Sequence, residues 1–481
     1  GGVTVCATCI DNTIGNSSVG NVISGHASGI GVEVNGVDTY LLGNRIGTRA
    51  DGTAALPNNV GVVLNADDTY IGGVGPGDGN LISGNANNGI TINSNVNIIC
   101  DNWIGTDVTG STGIPNGGHG IALNGTAAGN QIGSPSPNRI AFNTLKGVNL
   151  NTTGIGNDIR RNPIHSNSGG MAIDLGGDGP TANDATDIDT GANNKQNFPT
   201  VASAQISGGN LNVVVSLDSS AGVNTDYLMV DVYRADASVT PQAAEHLGNS
   251  VCIDTLGTGI LTNQLVTVPQ GLLTVGGKIV VTASAYSDSS CNNFSEGTSE
   301  LSPGFIVSGD VHWINSSGGA WENGANWDTG FIPSPSDNAI IDAAGTYTVS
   351  LSTGQIVQSL IVGNGVAGVQ TLSINLGPLT INAGSIVNST GFLAAAGSIQ
   401  GTGTLTNNGT VDWSLGTLSI PTVTNNTANF TLSGANPKTL NGTTLTNSAT
   451  GNMSWSNGAL NFMNGGGINN AGGFLIAVDH I

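Results

Sequence analysis

The chain has 481 residues, of which 75 are glycine and only 9% are charged. That is too little Lys, Glu and Arg to clothe a helical protein, and it suits strands and tight turns. The formal net charge is -21, from 31 acidic against 10 basic residues. A nucleic-acid face takes on the order of 6 to 10 basic phosphate contacts, so nucleic acid and acidic membranes are excluded as expected partners, while divalent cations fit.

At this length about three domains or one elongated solenoid are expected, at roughly 150 residues per domain. No apolar stretch reaches the roughly 18 residues of a membrane span. A chain that starts at Gly1 without a basic and apolar leader is expected to be a processed or partial product.

Residues 1–197 repeat. The phrase "NRIGTRADGTAALPNNVGVVL" at Asn44 returns as "NWIGTDVTGSTGIPNGGHGIAL" at Asn102, 58 residues later. Short apolar strands open at Gly31, Gly61, Gly89, Gly120, Gly147 and Gly170, at spacings of 30, 28, 31, 27 and 23. Asn-x-Ile steps recur at Asn21, Asn44, Asn80, Asn102, Asn138 and Asn157, their intervals alternating near 23 and 36, so the 58-residue period is two coils. No apolar set recurs at helical spacing, and the units are too short for propeller blades. The pattern predicts a parallel β-helix with stacked Ile, Val and Leu inside and Asn side chains hydrogen-bonded from coil to coil.

From 198 to 308 the pattern changes to strands such as "LNVVVSLDSS" and "GKIVVTASAYSD", predicting a small immunoglobulin- or fibronectin-like β-sandwich. Cys252 and Cys291 flank strands of this segment and are expected to close a disulfide, which suits an oxidising, extracellular setting. For the lone Cys6-x-x-Cys9, zinc, a local disulfide and buried apolar packing all remain open. Cys100, in "NIIC", reads as a core residue.

Residues 309–354 hold Trp313, Trp321 and Trp327 within fifteen positions. They predict a capping or connecting module, and offer indole faces on which a sugar ring could stack. Residues 355–481 return to short strands between Gly and Asn, a second β-solenoid that is still running at Ile481 and is expected to continue.

The Asn-x-Ile-Gly-Thr steps, the "LPN" and "IPN" turns and the closing "DATDIDTGANNKQNFP" resemble the right-handed parallel β-helix repeats of large bacterial secreted or surface polypeptides. "GAWENGANWDTGFIPSPSDNAIIDAAGTYTV" and "GTGTLTNNGTV" resemble modules of autotransporter-like and filamentous-haemagglutinin-like adhesins. The resemblance implies an all-β fold and a cell-surface or secreted location, with adhesive or structural roles; fold alone does not fix an activity.

Parallel β-helices also carry polysaccharide lyases and hydrolases. A hydrolase needs two carboxylates about 5 to 9.5 Å apart across one groove, and the adjacent Asp67 and Asp68 face opposite sides of a strand. His26, His119 and His165 lie in turns without a tellingly spaced acid. Lys146, Arg160 and Arg161 are the only candidates for a lyase base, and no residue is assigned a catalytic role. For metal, "DLGGDGPTANDATDIDTGANN" places Asp174, Asp178, Asp184, Asp187 and Asp189 in one flexible loop, a candidate calcium site.

The expected function is that of an extracellular structural or adhesive surface protein, associating with itself into a fibre, sheath or layer or with matrix components. The alternative is a polysaccharide-binding or polysaccharide-degrading protein. The long excursion made on every second coil predicts a row of loops along one face, the expected contact surface.

Overall fold

The structure, a computed structural model, describes residues 1–18, 20–207, 209–219, 226–248, 250–291, 294–328 and 330–476. Strands dominate; the helical elements among the described residues are two short turns, Ala192–Lys195 and Gly324–Asn326. No helix is long and apolar enough to cross a membrane. The chain divides into two compact units, one of Gly1–Ala204 with Gly208–Ile306, the other of Gln205–Ser207 with Val307–Ile481.

In the first unit successive strands visit three parallel sheets in turn, so every third strand pairs. The first sheet runs from Val3–Val5 through Val60–Leu64 to Ile173–Leu175. The second runs from Asn12–Gly15 to Asp158–Ile159, and the third from Val22–Ile23 through Trp103–Ile104 to Ile164–His165. This is the parallel repeat architecture of a β-helix or solenoid. Val32, Val62, Ile90, Ile121 and Val148 stand in register, and all are buried. Each such side chain contributes about 1.5–3 kcal/mol by leaving water. The glycine that opens each strand is required by stacking: a Cβ on Gly61 would lie 2.4 Å from the Gly89 carbonyl oxygen of the next coil.

Asparagine closes the corners. Asn21, Asn44, Asn80, Asn102, Asn138 and Asn162 each pass a side-chain amide hydrogen bond to the next, at 2.9–3.0 Å. A second ladder links Asn58, Asn85, Asn116, Asn143 and Asn167. A third links Asn97, Asn130 and Asn157. Asn157, which the Asn-x-Ile pattern groups with the first ladder, therefore belongs to the third. Asn162 takes the expected place, because coil geometry selects the corner position and not the following Ile. Almost all these amides are buried, and each is satisfied by its neighbours above and below.

The strands after 200 in the first unit are antiparallel. Asn210–Asp218 pairs with Ile260–Pro269, and Tyr227–Ala235 pairs with Ala243–His246, Val251–Asp254 and Lys278–Tyr286. Lys278–Tyr286 is buried at every position after Lys278, where an alternating strand is predicted. The reason is contact on both faces, since side chains of this layer also meet the last coil of the parallel stack. Ile164 pairs antiparallel with Ala243, the Ile159 amide donates to Thr298 Oγ1 at 2.8 Å, and Gln242 Oε1 accepts the second ladder's last amide, Asn167, at 3.2 Å.

The second unit is again three parallel sheets. They take in Ser308–His312, Asn338–Ile341 and Tyr347–Leu351, so the tryptophan-rich segment forms the first coils of this stack. Its internal ladder, Asn407, Asn425, Asn447 and Asn470, steps by 18, 22 and 23 residues. The turns are thus shorter than in the first unit.

Candidate functional site

Four of the five acidic residues of the 174–189 loop meet backbone amides or a nearby lysine. Asp174 is buried, pairs with Lys146 Nζ, and accepts the amides of Gly177 and Gly179 at 2.9 and 3.2 Å. Asp178 pairs with Lys195 at 3.2 Å. Asp184 accepts the Ile188 amide and Asp187 the Asn197 amide, at 3.3 and 3.1 Å; Asp189 is half-buried further along. Hydrogen bonds to nearby amides turn these carboxylates back onto the loop. Among the described residues, no group of three or more His, Cys, Asp or Glu side chains is arranged to hold a metal ion.

The three tryptophans are core residues. Trp313, Trp321 and Trp327 are at most 1% exposed, and Trp327 meets the other two edge-to-face, at centroid distances of 5.1 and 4.8 Å. Trp313 Nε1 and Trp327 Nε1 donate to the carbonyls of Asn315 and Trp321. The expected sugar contact is therefore corrected: rings whose faces are covered by protein cannot stack on a sugar, and burial of their large apolar area fixes them inside.

Cys252 and Cys291 form a disulfide with a Cα separation of 6.3 Å, and Cys6 and Cys9 form a second. Cys100 is buried and free, and desolvation pushes its thiol up to about 11.

Lys146 and Arg160, two of the three cations considered for lyase chemistry, serve the fold. Besides Lys146, Arg160 is buried and its Nε donates to Asp231 Oδ2 at 3.0 Å, while its Nη1 donates to Tyr286 Oη at 2.8 Å. Tyr286 Oη donates onward to Asp158 Oδ1 at 3.0 Å, and His246 Nε2 meets Asp231 Oδ1 at 2.9 Å. Burial pushes Asp158 up to about 6 despite Arg160. For Asp231 burial pushes upward too, but the hydrogen bond from His246 and the charge of Arg160 outweigh it and hold the carboxyl down at about 2. The Arg161 amide donates to Tyr233 Oη. Asp67 accepts the Asn95 amide of the next coil, and His26 and His119 contact Asn58 and the Lys146 amide.

A groove on the third sheet was legible in part. The middle residue of each Asn-x-Ile step lies between an inward corner Asn and an inward Ile, so it must face outward. In register these are Val22, Arg45, Leu81, Trp103 and Arg139. The long excursions Thr48–Ala55 and Thr106–Gly113, each closed by an antiparallel bridge, form one wall. They touch each other, the Val108 amide donating to the Gly52 carbonyl at 3.1 Å. Longer turns on the other coils form the opposite wall: residues 16–18 and 72–79, where the Gly43 amide donates to the Asp78 carbonyl, and 133–137, where the Asp101 backbone amide donates to the Ser136 carbonyl. Between them lies a cleft of about 470 Å³, lined by Asn16, Ser17, Arg45, Asp101, Trp103 and Val108 among others.

Trp103 is 37% exposed on this floor. Arg45 and Arg139, like Arg49, Arg161, Lys278 and Lys438, have no acidic partner within 4.0 Å among the described residues, whereas Lys146, Arg160, Lys195 and Arg234 are paired. Asp101 is half-buried in the left-handed region at φ 60°. Burial, with Asp78 nearby, holds its carboxyl above the usual range. No protein family and no curated protein matches the chain.

Proposed function

We propose that this is an extracellular structural or adhesive surface protein, which holds other molecules along its coil faces and does not convert them. The observation that carries this reading is the use made of its charged groups. Lys146 and Arg160 are committed to buried pairs with Asp174 and Asp231. Lys438, also buried, donates to the carbonyls of Gly434, Asn436 and Asn457 at 3.0–3.2 Å. A general base must be free to reach the proton it takes, and groups held in this way are positioned for folding.

The two disulfides support an oxidising location. The antiparallel strands after 200 are read as an immunoglobulin- or fibronectin-like sandwich whose role is to cover the last coil and stiffen the stack. Long stacks of coils with Asn, Ser and Thr outside give broad, uncharged faces suited to adhesion, to a matrix or to further copies of the chain.

The test is retention. Surfaces coated with the full chain are exposed to cell-surface polysaccharides and, separately, to the soluble chain. Saturable retention of either is expected. Absence of both across a wide range of concentration would remove the reading.

A further inference from the structure

The adhesive reading leaves open what the first unit would hold, and the groove on its third sheet answers with a specific chemistry. Its floor is a row of outward side chains on adjacent strands. Strands are about 4.8 Å apart, so Arg45 and Trp103 stand roughly 10 Å apart and Arg45 and Arg139 roughly 14 Å apart along the stack. This row is longer than a single small molecule: Arg45, Leu81 and Trp103 line the cleft, Leu81 being only 5% exposed, and Arg139, next in register after Trp103, continues the row outside the cleft lining.

Three features select the ligand. The first is Trp103, the exposed indole of this floor, whose flat apolar face suits the C–H face of a sugar ring. The second is the wall chemistry: Asn16, Ser17, Ser18 and Asp101, with the backbone of Gly20, Gly43, Gly77 and Gly79, gives short donors and acceptors for hydroxyl groups. The third is charge. In a chain of net charge -21, Arg45 within the cleft and Arg139 just beyond it stand on either side of the indole along one row, with Asp101 the acidic group in the cleft lining, and a guanidinium presents a planar fork that matches a carboxylate. In the free protein water hydrates these guanidinium groups, and a carboxylate that replaces it can take two parallel hydrogen bonds from one fork.

We propose that this groove binds an extended glycan strand bearing carboxylates, with one sugar ring stacked on Trp103 and carboxylates held by Arg45 and Arg139. The proposal rests on the adhesive reading for its consequence, binding without cleavage, but its geometry is independent of it. The acidic surroundings make the site selective: a diffuse polyanion is repelled by the protein as a whole, and only one with carboxylates placed along the row gains the two arginines.

The experiment is calorimetric titration of the full chain with two hexasaccharides that differ only in the carboxylate, a β-1,4-linked glucuronate hexamer and the corresponding glucose hexamer. The glucuronate hexamer is expected to bind at least about tenfold more tightly, with affinity falling as salt rises. Arg45→Ala, Arg139→Ala and Trp103→Ala are each expected to weaken it by about tenfold or more. All three positions face outward, so thermal unfolding of each variant should match the parent. Should Trp103→Ala fail that control, the arginine variants decide.

No binding of the glucuronate hexamer, equal binding of both hexamers, or binding insensitive to the arginine variants would each overturn the assignment. The recovered hexamer is then sized. Intact hexamer without binding counts against the groove alone, whereas shortened hexamer counts against the adhesive reading whatever the affinity.

Discussion

Arg160, on the last coil of the first unit's second sheet corner, donates its Nε to Asp231 Oδ2 at 3.0 Å, seventy-one positions further along the chain. Both side chains are buried. This pair joins the parallel stack to the antiparallel layer that covers it, and the layer in turn takes over the corner ladders through Gln242 and Thr298.

Removing one partner strands the other charge away from water. Asp231→Ala is expected to destabilise the first unit by about 3–5 kcal/mol, measured by denaturant unfolding. Arg234→Ala, which breaks a half-exposed pair with Glu245, is expected to cost about 0–1 kcal/mol. Equal costs would mean that burial is not what gives the Arg160 pair its weight.

The asparagine ladders make a graded prediction. Asn85→Ala removes an interior member of a buried ladder and orphans groups on Asn58 and Asn116, at a cost of about 1–3 kcal/mol per orphaned group. Asn65→Ala breaks the exposed ladder through Asn35 and Asn93, where water replaces the lost bonds and the change should stay within about 0.5 kcal/mol. Thermal unfolding of the two variants, compared with the parent, reads the difference.

The pH profile follows from three carboxyls. Asp158 at about 6 and Glu300, pushed up to about 7 by burial, hold protons more tightly in the fold than in the unfolded chain. Their contribution is complete below the ordinary carboxyl range and is lost as pH rises through 6–7. Asp231 has the opposite sign: its contribution is present above its ordinary value of 3.8 and is lost as pH falls through about 2. The melting temperature of the first unit should therefore rise as pH is lowered from about 8 to about 5, against an opposing contribution from His119 and His165, whose imidazoles burial holds below their ordinary range, then fall steeply below about 3. Asp158→Asn should flatten the upper limb and leave the acid limb in place.

The loop from Asp174 to Asp189 gives a fourth prediction. Since Asp174 pairs with Lys146, Asp178 pairs with Lys195, and Asp184 and Asp187 accept the amides of Ile188 and Asn197, the loop is expected to be ordered without calcium. Melting temperatures in excess EDTA and in millimolar calcium should agree. An increase of several degrees with calcium would show that the loop rearranges around the ion.

Most of the first stack was legible because its period is imposed by contact. Gly61 must lack a Cβ where Gly89 passes, and Val62 and Ile90 must face inward together, so spacing in the sequence reports spacing in space. The Cys252–Cys291 pair was legible for a similar reason, a flanked strand segment with no other nearby cysteine. Burial of the tryptophans was not, because Trp321 reads the same in a sequence whether its neighbours cover its face or leave it open. The Arg160–Asp231 pair was hidden by its long separation. The groove lay between these cases: Arg45 and Trp103 sit at the outward place of a repeated step, but their usefulness depends on walls made by turns of alternating length, which only the stacked coils bring together.

The molecule is proposed to hold polymers and leave them whole. Light scattering can follow the average chain length of a polyglucuronate during prolonged incubation with an excess of the full chain. A constant chain length, with the polymer bound, is the expected result. Progressive shortening of the polymer would mean that the molecule cleaves what it holds.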